Sequence, residues 1–245
     1  MENKKTELEE FQEAMAKNRR IQAQSLAILR RAKDANIPPD ITSIIRAEGE
    51  GILKKYLCPF YHDGKRGIEI NELCHFVFHK ANNLFKKKFI VIDGGGWEER
   101  RIAGFSLLFR MIACNYNGKF YDCKEISHLF QTIDYNASIT RNDLAEELKS
   151  YDVLFIDEFR RELMLKGFEI HWFFDEVLSQ RDLDCKPTII TFGNPLSTDE
   201  NSEINLLSQT SDFGNYLCML SHADIKKSDK TLSDKILRIR VRKPE

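Results

Sequence analysis

The sequence predicts an α/β fold, a three-layer αβα core with a parallel sheet over residues 41–245, preceded by an N-terminal helical arm over residues 1–40. Three observations predict it. Short apolar runs at Phe89–Ile92, Val153–Ile156 and Thr188–Thr191 are separated by stretches with helical composition, as in a sheet buried on both faces. Residues 5–36 contain neither Gly nor Pro. Polar and glycine residues cluster just after the apolar runs, at the strand ends where such sheets bind ligands.

The arm is rich in Glu, Gln, Ala, Leu, Lys and Arg, all good helix formers, and fits one or two helices with Leu8, Phe11, Met15, Ile21, Leu26 and Leu29 as a patchy apolar stripe. Helix is expected to stop at Ile37-Pro38-Pro39-Asp40, because proline lacks a donor and disfavours helix in the residue before it. Beyond this boundary the expected order is helix at Ile70–Phe85, strand at Phe89–Ile92, helix from about Arg100 to Asn115 and a short strand at Lys119–Asp122. Helices at Glu125–Gln131 and Arg141–Ser150 follow, then strand Val153–Ile156, helix His171–Gln180, strand Thr188–Thr191 and a terminal strand at Lys235–Val241.

Composition bounds the function. A chain of 245 residues with 42% hydrophobic content can bury a normal core, and 37 basic against 38 acidic residues give no global pull toward nucleic acid or membrane. Six scattered cysteines suggest a reducing interior. The charged opening MENKKTELEEF has no apolar leader core, and no run approaches the ~20 apolar residues of a membrane span, so a cytoplasmic protein with no membrane partner is expected.

The stretch FIVIDGGGWEERRIAG has the strand–glycine–helix layout of a phosphate-binding loop, in which backbone amides and the helix dipole attract an anion. A Walker A loop, G-x4-G-K-[ST], also needs a lysine for the terminal phosphates and a hydroxyl for magnesium. Counting from Gly94 places Glu99, Arg100 and Arg101 at its last three positions; aligning on Gly96 places Glu98, Glu99 and Arg100 there. Neither register supplies the lysine or the hydroxyl, and an arginine has no lone pair to offer a metal. Gly94, Gly95 and Gly96 with Arg100 and Arg101 remain the nucleotide-binding candidates, against the alternative that the glycines only make a tight turn.

YDVLFIDE reads as a buried strand ending in two carboxylates, the Walker B form, in which Asp157 would order a magnesium shell and Glu158 would polarise an attacking water. KPTIITFGN is a third strand with a polar tip, and Thr191 or Asn194 could reach a terminal phosphate or the water. Cys58, His62, Cys74, His75 and His79 could supply zinc ligands, but their spacing is irregular and core packing is the expected role. Lys86–Lys88, Arg100-Arg101, Arg160-Arg161 and the group Arg238, Arg240, Arg242, Lys243 are solvated faces unless several line one surface that tracks a phosphate backbone.

In order, ANIPPD, the glycine loop followed by RRIAGFSLLFRMIA, YDVLFIDEF and LSQRDLDCKPTIITFGNP resemble the DnaC/IstB family, the AAA+ loaders of bacterial replicative helicases and their transposition-helper relatives. The likeness spans about Ile37 to Leu207, and VLSQRDLDCKPTIIT is its most specific block. The resemblance implies an AAA+/ASCE P-loop core, ATP or ADP with magnesium as cofactors, and N-terminal helices that contact a replicative helicase or partner ATPase. It further implies contact with single-stranded DNA and self-assembly into oligomers. Asp157 and Glu158 match Walker B, Thr191 or Asn194 match sensor 1, and Gly94–Gly96 match the loop turn, while the lysine, the hydroxyl and the family's arginine finger have no counterpart. The expected function is therefore partner binding with nucleotide turnover lost or very slow; an active ATPase using Arg100 and a non-catalytic scaffold subunit are the alternatives.

Overall fold

The computed structural model describes residues 2–48, 89–94, 96–133, 140–159, 172–192 and 236–241. The expected helix over 70–85, the Cys58–His79 group, Lys86–Lys88, Gly95, Arg160-Arg161, Asn194, Arg242 and Lys243 lie outside the described residues. Helix α1 (Glu2–Asp34) is followed by α2 (Pro39–Glu48), β1 (Phe89–Gly94), α3 (Trp97–Ala113), β2 (Gly118–Asp122), α4 (Cys123–Ile133) and α5 (Arg141–Ser150). Strand β3 (Val153–Phe159), a π-helix at Phe173–Leu178, α6 (Ser179–Leu183), β4 (Thr188–Phe192) and β5 (Ile236–Val241) complete the order.

The arm is one helix, and its end is set by Asn36 rather than by the prolines. Asn36 takes the left-handed conformation at φ 64°, its N–H bonds to the Lys33 carbonyl, and the Ile37 N–H reaches back to the Ala32 carbonyl, which together make a Schellman closure. The proline pair instead opens α2, an element the sequence pattern did not suggest: Pro39 occupies its first position, where a fixed φ and a missing donor cost nothing. Ala32, Ala35, Ile37 and Ile45 are buried in the core, and β2 binds the arm's end through the Phe120 N–H to the Ala35 carbonyl at 3.0 Å. The free part of the arm therefore ends before Ala32.

The described strands form one parallel sheet in the order β2-β3-β4-β1-β5. Strand alternation sends Ile90, Ile92, Phe120, Phe155 and Ile189 to the face covered by α3, α2 and the end of α1. Val91, Tyr121, Leu154, Ile156 and Ile190 go to the face covered by α4, α5 and the π-helix. Both faces are apolar, so the strands read as unbroken hydrophobic runs. The result is the expected αβα sandwich, with β4 inserted between the glycine-turn strand β1 and the carboxylate strand β3.

Two side chains fix how closely these layers meet. Gly104 lets α3 approach β3, since a Cβ there would collide with the Phe155 ring. Arg181 is fully buried, and its guanidinium donates to Thr188 Oγ1 (3.0 Å) and to the carbonyls of Leu148 (3.0 Å), Tyr151 (2.6 Å) and Pro187 (2.9 Å). It bolts the end of α5 and the entries of β3 and β4 together. Burial pushes its pKa down to about 10, against the pull of Asp152 and Asp184, so it stays charged at neutral pH.

Several boundaries differ from expectation. Helix α3 begins at Trp97, three residues early, because it opens on an exposed Trp97-Glu98 followed by two charged residues, which give no apolar stripe. Strand β3 runs on to Phe159, which places Asp157 and Glu158 inside the strand. The helix expected at His171–Gln180 is π-helical over Phe173–Leu178 and continues as α6 to Leu183; a change of hydrogen-bond register leaves no trace in apolar spacing.

Candidate functional site

The carboxyl ends of β1, β4 and β3 lie side by side, with Ile92 opposite Thr191 and Ile156 opposite Ile190. Between Ile156 and Phe159 the β3–β4 register slips, and Glu158 sits at φ 55°, a left-handed conformation that costs about 1 kcal/mol or more for a non-glycine residue. Thr191 holds this bulge. Its hydroxyl accepts from the Glu158 N–H at 2.8 Å and donates to Asp157 Oδ1 in a very short hydrogen bond. The side chain expected to sense a phosphate is thus engaged in fixing both carboxylate-bearing residues.

Asp157 is 1% exposed, and burial pushes its pKa up to about 6. The Thr191 hydrogen bond and the Arg101 charge pull it down, while the neighbouring charges of Glu158 and Asp122 push it up; Asp122 is the register partner of Asp157 on β2. Arg101 Nε stands 3.5 Å from Asp157 Oδ2, and neither of those buried atoms has a hydrogen-bond partner. The guanidinium carbon also lies 4.9 Å from the Trp97 ring centre, 5.6 Å from that of Phe105 and 5.4 Å from that of Phe120. The same cation therefore meets one carboxylate and three aromatic faces.

This contact bears on the two loop registers. In a working loop the hydroxyl that follows the lysine shares the metal with the Walker B aspartate. Arg101 meets Asp157; if the turn corresponds to such a loop, counting from Gly94 is the register consistent with this contact, with Arg100 at the lysine position and Glu99 at the second glycine. Arg100 is only 5% exposed.

Strand β1 ends at Gly94 and α3 begins at Trp97. Gly96 is the N-cap in extended conformation, with no side-chain cap. The Glu99 carboxylate folds back over it, so that a Cβ on Gly96 would collide with Oε2 and lie 3.2 Å from Cδ. The positive end of α3 faces its own third-position carboxylate, the half of a capping box that points backward.

Of the sequence-predicted residues, Gly94, Gly96, Arg101, Asp157, Glu158 and Thr191 come together at this edge, Arg100 is buried in the first turn of α3, and Gly95 and Asn194 lie outside the described residues. The parts not foreseen are the aromatic bed of Arg101, the return of Glu99 and the bolt made by Arg181. The i, i+4, i+8 spacing of Trp97, Arg101 and Phe105 was a signal for the first. Among the described residues no group of His, Cys, Asp and Glu is arranged to hold a metal ion, and no helix is long and apolar enough to cross a membrane.

No family model and no curated protein matches the sequence. Among solved structures the chain is similar to the crystal structure of the DnaC helicase loader, at TM-score 0.44 and 17% identity, covering 74% of this chain and 93% of that one. It is also similar to the crystal structure of DnaI, at TM-score 0.42 and 12% identity, covering 74% of this chain and 87% of that one. The likeness is one of fold.

Proposed function

We propose that the chain is a helicase-loader-like AAA+ protein with a degraded nucleotide site, acting by binding in DNA replication or mobile-element DNA transactions in the cytoplasm. Its partners are a replicative helicase or a partner AAA+ ATPase, with single-stranded DNA contacted by the core. The observation that carries the loss of turnover is the Arg101 guanidinium on Asp157, at the place where magnesium would bridge a hydroxyl and a carboxylate.

The residues do not fit a magnesium nucleotide. Arg101 offers no lone pair to a metal, and Glu99 sets a like charge against a phosphate at the α3 N-terminus. A single lost oxyanion donor costs about 10²–10³ in rate, and here lysine and hydroxyl are both replaced. Purified protein is therefore expected to show no magnesium-dependent ATP hydrolysis above background. Turnover that disappears in Glu158→Gln would restore the active-ATPase reading, with Arg100 as the substitute for lysine.

Partner binding through the arm is supported by its exposed apolar side chains: Phe11 is 64% exposed, Met15 41% and Leu26 58%, all on one side of α1. Truncation at residue 36 would remove Ala32 and Ala35 from the core, so the informative variant is Phe11→Glu with Met15→Glu and Leu26→Glu. Loss of co-purification with a replicative helicase in this variant supports the loader reading. Unchanged capture points to a scaffold that uses another surface.

A further inference from the structure

The start of α3 already presents a negative and a positive group of this chain's own, each where a metal–phosphate ligand would place one of the same sign. The Glu99 carboxylate covers the Gly96 backbone at the N-terminus of α3, where the unpaired amides and the dipole favour an anion. The Arg101 guanidinium faces the buried Asp157 carboxylate, where a cation is favoured. Both side chains come from the start of α3, two residues apart.

We propose that Glu99 and Arg101 act together as a built-in substitute for phosphate and metal, so that the strand-end site is occupied in cis. This rests on the reading that the site descends from a nucleotide site. Three features favour it over an incidental capping contact. Gly96 has no Cβ to obstruct the carboxylate. Asp157 Oδ2 has no hydrogen-bond partner apart from its ion pair to Arg101. Thr191, a residue of this chain, holds both Asp157 and the Glu158 N–H through its hydroxyl.

The consequence is that removing the internal anion uncovers a phosphate site. Glu99→Gln keeps the cover and removes its charge; Glu99→Ala removes both. Inorganic pyrophosphate and Mg²⁺ serve as probes. Binding is read by titration calorimetry and by the emission of Trp97, whose ring lies 4.9 Å from the Arg101 guanidinium. Thermal melts establish that each variant is folded.

Wild-type protein is expected to bind pyrophosphate no better than millimolar, and the Glu99 variants about tenfold tighter or more, with alanine at least equal to glutamine, from the loss of one like charge at close range. Adding Arg101→Thr to Glu99→Ala is expected to make that binding magnesium-dependent. Folded Glu99 variants that bind pyrophosphate within about twofold of wild type overturn the substitution and leave the partner-binding proposal standing. Wild-type protein that binds and hydrolyses Mg-ATP overturns the proposed function itself.

Discussion

Replacing Asp157 by asparagine is expected to stabilise the protein at neutral pH and to do so only there. Burial raises this carboxyl from its ordinary 3.8 to about 6, so the folded state holds the proton more tightly than the unfolded chain does. The folded state therefore carries more bound protons between those two values, and stability falls as pH rises through that window. The shift is about two pH units at ~1.4 kcal/mol each, or about 3 kcal/mol against folding at pH 7. Asparagine keeps an acceptor for the Thr191 hydroxyl, sheds the buried charge and gives up the ion pair to Arg101, whose side chain is 25% exposed and whose contribution is about 1 kcal/mol or less. The variant should gain about 2–3 kcal/mol at about pH 7.5, roughly 4–12 °C in Tm, and at about pH 4 the difference should shrink below about 1 kcal/mol. Urea denaturation of both proteins at the two pH values measures it. A variant that is less stable than wild type by the same margin at both pH values would show that the ion pair outweighs burial, and the reasoning fails.

Thr191→Val should cost about 3 kcal/mol, because it strands the buried Glu158 N–H and leaves Asp157 Oδ1 without its donor, while Thr191→Ser should cost about 1 kcal/mol or less; equal losses in equilibrium unfolding would refute the hydroxyl's role. Arg181→Lys should lose about 2–4 kcal/mol, since an ammonium cannot reach three carbonyls and Thr188 together, and a loss under about 0.5 kcal/mol by urea titration would mean that the bolt is not structural. Gly104→Ala should destabilise by about 1–3 kcal/mol, although alanine favours helix by about 1 kcal/mol, because its Cβ meets the Phe155 ring; a raised Tm would show that α3 can step away from the sheet.

The sheet was legible because its strands are buried on both sides and so appear as short apolar runs, and the helix read at Arg141–Ser150 has those bounds, with a Thr140–Asp143 capping box at its start. Helix α2 was missed because a proline pair reads as a stop when it also serves as a start. The two carboxylates near the end of β3 were legible as a pair, but the bulge at Glu158 was not, since it depends on a hydroxyl 33 residues away. Whether Arg100 or Arg101 would reach Asp157 turned on where α3 begins, and an exposed Trp97-Glu98 opening gives composition no way to decide it.

If Arg101 stands where a phosphate-binding loop carries its hydroxyl, its position does more than withhold a metal ligand. A threonine beside Asp157 would leave that carboxylate free to share a divalent ion; Arg101 competes for it. Any cation arriving at Asp157 Oδ2 must displace a guanidinium that rests within 6 Å of three ring centres, and displacement forfeits the ion pair and cation–π contacts of about 0.5–1 kcal/mol each. Phe105, Phe120 and Phe155 pack on one another at 4.6–5.2 Å between ring centres, so the bed beneath Arg101 is continuous with the core. The arrangement thus ties the tip of β3 to the first turn of α3 by a link that is strongest with no metal present. A protein that works through binding can retain this link, whereas a turnover cycle would have to break and remake it at every step.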